Sequence, residues 1–140
     1  MRNGEPHPKN YPFWNEVIEG INQPIVQVGV HGEPHLVPDV RHNLSLTELA
    51  KLVDECKTWI AIDSFFQHFC WDRKKKGIVL WGQSDPLIFG HPENINLLKS
   101  RDNLREKQFW LWEQTTFNAG HFVGPDVVLE HLNALLTELG

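Results

Sequence analysis

Cysteine is scarce in this chain, and long apolar stretches are missing altogether. Only Cys56 and Cys70 occur among 140 residues. Both lie inside apolar segments without metal-ligand spacing, so they read as reduced core residues, with a disulfide as the lesser alternative. No apolar run approaches the roughly 20 residues that span a bilayer. The opening Met-Arg-Asn-Gly-Glu-Pro-His-Pro-Lys has neither a hydrophobic segment nor a small-residue cleavage site, which reads against a secretory signal. The expectation is a cytoplasmic protein with no membrane partner. Positive charge is also in deficit: 13 Lys and Arg against 18 Asp and Glu give a net charge of −5. A nucleic-acid binder neutralises phosphates with excess Lys and Arg, so that class is not expected.

Catalytic signatures are equally sparse. There is no Gly-rich phosphate loop, Walker sequence or nucleophile elbow, and no two carboxylates are paired for glycoside hydrolysis. No catalytic residue is therefore assigned and no cofactor expected. His31-Gly32-Glu33-Pro34-His35 invites a metal reading. Its Gly and Pro make it a loop, it has no helical His-x-x-x-His face, and no third ligand is evident, so no metal is expected.

What the chain does have is an apolar content of 41% with 22% charged residues, the ordinary balance of a globular domain. With no repeat, low-complexity tract or internal linker, residues 1–140 read as one domain. Residues 12–21 suit a helix with Phe13, Val17 and Ile21 along one face. A short strand from Pro24 ends at Gly29, and a loop rich in His, Gly and Pro follows to Leu44. Ser45-Leu46-Thr47-Glu48 is a capping box, opening a helix with Leu46, Leu49, Ala50, Val53 and Cys56 at three-and-four spacing. Residues 59–62 read as a strand, 63–72 as a helix and 77–81 as a strand; a long loop and a short strand at 95–98 come next. The basic run Arg73-Lys74-Lys75-Lys76 falls at the end of a helix, where it suits a solvated turn. The stretch 101–123 carries no clear period, and Gly124-Pro125 opens a terminal helix.

Apolar strands without polar alternation, separated by helices, point to an α/β fold: a doubly wound, mainly parallel, Rossmann-like sheet. Such sheets bind ligands beyond the carboxyl ends of their strands, where Asp63 and His68 fall. The amides opening the helix after Asp63 make an anion site, to which Ser64 adds a hydroxyl. The alternative is that Asp63 caps its own helix. Lys9 offers a mobile cation for a phosphate. Gly82, Gln83 and Ser84 follow a buried strand and suit contact with a sugar or ribose, or else a plain turn with Asp85-Pro86.

The order of the capped helix, strand and Asp63, followed by "KKGIVLWGQSDPLIFGH", resembles the carboxyl-terminal half of the heptosyltransferase-like glycosyltransferases, glycosyltransferase family 9. Asp63, Ser64 and His68 match that family's Asp-Ser/Thr-x-x-x-His pattern. Trp81-Gly82-Gln83-Ser84-Asp85-Pro86 stands where the family has Phe-Gly-Pro-Thr-Asp-Pro, and Lys9-Asn10-Tyr11-Pro12 resembles its Lys-x-Trp-Pro. The chain departs from the pattern at Phe65 and Phe66, where the family carries glycine and a small residue, and at Gly4 and Glu5. The resemblance spans residues 9–139 and implies half of a GT-B fold that holds a nucleotide or nucleotide-sugar. Lys9, Asp63, Ser64, His68 and the 82–84 loop would then contact it, with Glu33 near the ribose. The family's acceptor-binding, base-supplying domain has no counterpart in these residues. Three expectations follow: a stand-alone binder of an adenine-type nucleotide diphosphate, which would act as a sequestering module; a transferase subunit completed by a homo-oligomer or a separate acceptor-domain chain; or a degenerate half-domain that binds another protein. Phe65 and Phe66 would be a stacking platform in the first case and would fill the old site in the last.

Overall fold

The computed structural model describes residues 7, 9–29, 33–109 and 115–140. His31, Gly32, Gly4, Glu5 and residues 110–114 lie outside them. The architecture is α/β with parallel strands. Helix α1 (Trp14–Glu19) is followed by β1 (Gln27–Gly29) and β2 (Val40–His42), which pair in parallel. Helix α2 (Leu46–Glu55), β3 (Ile60–Ile62), α3 (Phe65–Asp72), β4 (Ile78–Trp81), α4 (Pro86–Phe89), β5 (Ile95–Leu98) and α5 (Pro125–Leu139) complete the order. A second parallel sheet runs β3-β4-β5, with Ile62 against Leu80 and Trp81 against Leu98.

The middle strand explains the layering. All four residues of β4 are buried, and successive side chains of a strand point to opposite faces. Ile78 and Leu80 join Val17 of α1 and Val128, Leu132 and Leu135 of α5 in one core cluster. Val79 and Trp81 join Leu49 and Val53 of α2 and Cys70 of α3 in another. Helices therefore cover both faces of the three-stranded sheet. Each fully buried aliphatic side chain contributes roughly 1.5–3 kcal/mol, so the apolar run of β4 is the centre of the stability of the fold.

The capping box forms as the sequence predicts: Ser45 Oγ accepts from the Glu48 amide and Glu48 Oε1 from the Ser45 amide. Both cysteines are free, Cys70 fully buried and Cys56 partly so. Two elements depart from the expectation. The loop after Gly29 contains β2, and the loop after Trp81 contains α4, whose N-cap Asp85 accepts from the Leu87 amide. The basic run is more than a solvated turn. Arg73 pairs with Asp54, and Lys75 Nζ donates to the carbonyls of Asp54 and Cys56, placing cations on the carboxyl end of α2 rather than of α3 alone.

Candidate functional site at the carboxyl edge of the parallel sheet

Because β3, β4 and β5 run in parallel, their carboxyl ends share one edge, and the first residue beyond β3 is Asp63. Its two oxygens are both engaged. Lys9 Nζ lies 3.1 Å from Oδ2, and Gln67 Nε2 donates to Oδ1 across 3.1 Å. Asp63 does not cap α3. The N-cap is Ser64, whose hydroxyl donates back to the Ile62 carbonyl instead of accepting from the helix. The amides of Phe65, Phe66 and Gln67 open α3 without a side-chain acceptor, so their partial positive charge faces outward. Lys9 and Asp63 carry opposite charges, so their pair adds little net charge beside these amides.

Lys9 reaches this edge because the next residues are anchored. Tyr11 is buried, donates its hydroxyl to the Val123 carbonyl at 2.8 Å, and meets Phe13, Trp14 and Phe122 edge to face. Burial pushes its phenol up to about 12, with Glu16 and Asp126 acting in the same direction. Tyr11 and Gln67 are the residues that sequence reasoning missed. The spacing of Asp63 and Gln67, four residues apart, was a signal for the second; the first stands in the Lys9-Asn10-Tyr11-Pro12 motif, where only the lysine was given a role.

The two phenylalanines divide. Phe65 is 62% exposed and touches only Phe69 among the ring contacts described, whereas Phe66 packs edge to face on Trp59 in the core cluster beneath α2. His68 turns to a partner: its Nδ1 is 2.8 Å from Nε2 of His91. The His91 ring is stacked on Trp71, with centroids 4.4 Å apart and planes 9° from parallel. Burial holds the His91 imidazole below its ordinary value, helped by His68 and opposed by Glu93.

The 82–84 loop follows β4 and is buried. A side chain on Gly82 would strike the Phe122 ring, with the nearest ring atom 2.7 Å from its Cβ. Gln83 Nε2 donates to the Thr116 carbonyl, and the Gln83 carbonyl accepts from the Arg105 amide and Gln108 Nε2. Ser84 is 3% exposed, and its hydroxyl has no hydrogen-bond partner among the described residues. The adjoining Asp85 takes a two-pronged ion pair from Arg101, which holds its carboxyl below the usual range. Glu33 belongs to the other sheet: it is exposed, and its carboxylate lies over Gly29 at the end of β1, where a glycine Cβ would collide with it. Lys9, Asp63 and Ser64 thus converge on the first turn of α3. Gly82, Gln83 and Ser84 occupy the end of the next strand, and Glu33 the end of β1.

An open depression of about 430 Å³ lies elsewhere, lined by Ile21, Lys57, Leu132 and Asn133 among others. These residues precede β1 and β3 or lie on α5, so it sits away from the strand ends just described. No group of three or more His, Cys, Asp or Glu among the described residues can hold a metal ion. No helix among them is long and apolar enough to cross a membrane.

Fold and edge together define an α/β protein with helices on both faces of a short parallel sheet. No family model matches the chain, and no characterised protein or solved structure matches it.

Proposed function

We propose that this protein contains a binding domain for a nucleotide diphosphate of the adenine type, an ADP-sugar or ADP-ribose-like ligand, which it holds without turnover. The observation that carries the reading is the meeting of Lys9, Asp63 and the uncapped first turn of α3 at the carboxyl edge of parallel strands. On this reading the pyrophosphate lies on the amides of Phe65, Phe66 and Gln67, Lys9 swings from Asp63 to an unesterified oxygen, and exposed Phe65 stacks under the base. The adenine preference and the assignment to a doubly wound, Rossmann-like GT-B half-domain rest on the motif resemblance. A transferase activity would need an acceptor site and a base from outside these residues, and donor cleavage only when they are supplied is the signature of that variant.

A second reading, a domain that binds another protein, is favoured by the apolar surface on and beside α4. Leu87 is 81%, Ile88 48% and Phe109 67% exposed.

The experiment is to incubate the purified protein with ADP-ribose, ADP-sugars, and UDP- and GDP-sugars, filter it, and analyse the filtrate and the ligand released by heat. Recovery of one intact nucleotide in stoichiometric amount supports the binder, and release of a free diphosphate means an enzyme. No depletion of any of them rules out the nucleotide reading and leaves the protein-binding one.

A further inference from the structure

The contact between His68 and His91 joins α3 to the turn before β5, and its geometry sets a condition on protons. Two imidazole nitrogens 2.8 Å apart make a hydrogen bond only if one carries a proton and the other presents its lone pair. When both are protonated, two N–H groups and two positive charges face each other at that distance, and the rings must part. The contact is built in rather than incidental. His91 is clamped on its other side by Trp71, and Trp71 Nε1 donates to Glu93 Oε2 at 3.3 Å. The His91 carbonyl accepts from Asn96 Nδ2 and from the Asn94 amide, so ring and turn are coupled.

We infer that the His68–His91 pair is a proton-operated latch that closes α3 onto the turn at residues 91–94 at neutral pH and releases it in mild acid. The groups acting on His91 are His68 from α3 and Glu93 from its own turn; Asp72 stands one helical turn beyond His68 on α3. Burial and His68 outweigh Glu93, so the neutral ring is the favoured form in the folded protein. A histidine depressed in the folded state contributes stability that is complete above its unfolded value of 6.5. That contribution is lost as pH falls from there through the lowered folded value, and the latch therefore works on the acid side of 6.5. Its operation does not depend on a nucleotide being the ligand at the start of α3.

The test uses the intact chain at pH 4.5 to 7.5. Trp71 reports on the stacked ring, because an imidazolium quenches indole fluorescence; its signal is isolated by subtracting the Trp71→Phe variant. Asn94 amide exchange, followed by NMR and normalised to the free-peptide rate, reports on the turn. The expected result is a Trp71-dependent transition with its midpoint below 6.5 and a parallel loss of Asn94 protection of about tenfold per pH unit of depression. In His68→Gln the midpoint should move up toward 6.5 and the exchange step should shrink, while far-ultraviolet circular dichroism stays unchanged. Absence of the Trp71 transition, a midpoint indifferent to His68→Gln, or a titration that leaves Asn94 protection constant would each overturn the latch.

Discussion

Lys9 Nζ and Asp63 Oδ2 lie 3.1 Å apart, tying the segment before α1 to the end of β3. Asp63 is the more enclosed partner, its side chain 11% exposed against 30% for Lys9, and Gln67 occupies its other oxygen. In the proposed site the carboxylate therefore positions the lysine and repels the ligand, and the two roles can be separated. Lys9→Met should weaken binding of an anionic nucleotide by about tenfold, the equivalent of about 1.4 kcal/mol. Asp63→Asn, which keeps the polar shape and removes the repelling charge, should leave affinity equal or raise it. Isothermal titration of the two variants decides the matter, and a loss in Asp63→Asn equal to that in Lys9→Met would show that the carboxylate itself contacts the ligand.

The glycine after β4 is predicted to be a packing residue. Phe122 is 2% exposed and its ring tip fills the space a methyl group would need at Gly82. Gly82→Ala should destabilise the fold by about 1–3 kcal/mol through overpacking, measured by urea denaturation. A variant of unchanged stability that fails to bind nucleotide would instead give Gly82 a direct part in ligand contact.

Asp85 and Arg101 form the planar two-bond pair that joins the start of α4 to the residues after β5. The arginine's hydrogen bonds lower the Asp85 carboxyl, and the Leu87 amide adds to this. A depressed carboxylate contributes stability that is present above its unfolded value of 3.8 and is lost as pH falls through the folded value. Urea midpoints of the protein and of Arg101→Met should therefore differ at pH 7 and converge toward pH 3. A gap that is constant over that range would mean that Arg101 stabilises through its hydrocarbon stem and not through its charge.

Elements with local chemical signals were legible in the sequence. The Ser45 to Glu48 capping box marked α2, Gly124-Pro125 marked α5, and the unbroken apolar runs marked β3 and β4. Strand β2 was not legible, because a three-residue strand in a chain segment rich in Pro, Asp and His is defined by its pairing with β1 and not by its own pattern. Asp85-Pro86 is good turn chemistry and equally good helix-start chemistry, and α4 fell on the wrong side of that ambiguity. At the candidate site, Asp63 and Ser64 were legible from their place after a strand. The His68 to His91 contact was not, since it joins residues across a crossover, and side-chain direction on α3 alone separates core Phe66 from exposed Phe65.

The capping box also offers the most direct check of how α2 is held. Ser45 is exposed, so its hydroxyl buries little area, and its contribution is the bond it accepts from the Glu48 amide. Ser45→Ala should cost about 1 kcal/mol. For a domain of this size that is a fall in melting temperature of about 3–6 °C. The reciprocal arm is the Ser45 amide donating to Glu48 Oε1, which, with the serine hydroxyl, draws the Glu48 carboxyl below its usual value. That arm is present above pH 4.5 and is lost as pH falls through the lowered value. Glu48→Gln keeps an acceptor for the Ser45 amide, so its melting temperature should stay near that of the parent at pH 7 and lose the acid-dependent part. If Ser45→Ala melts with the parent in differential scanning calorimetry, α2 is held by Leu49 and Val53 in the core alone, and the cap has no energetic role.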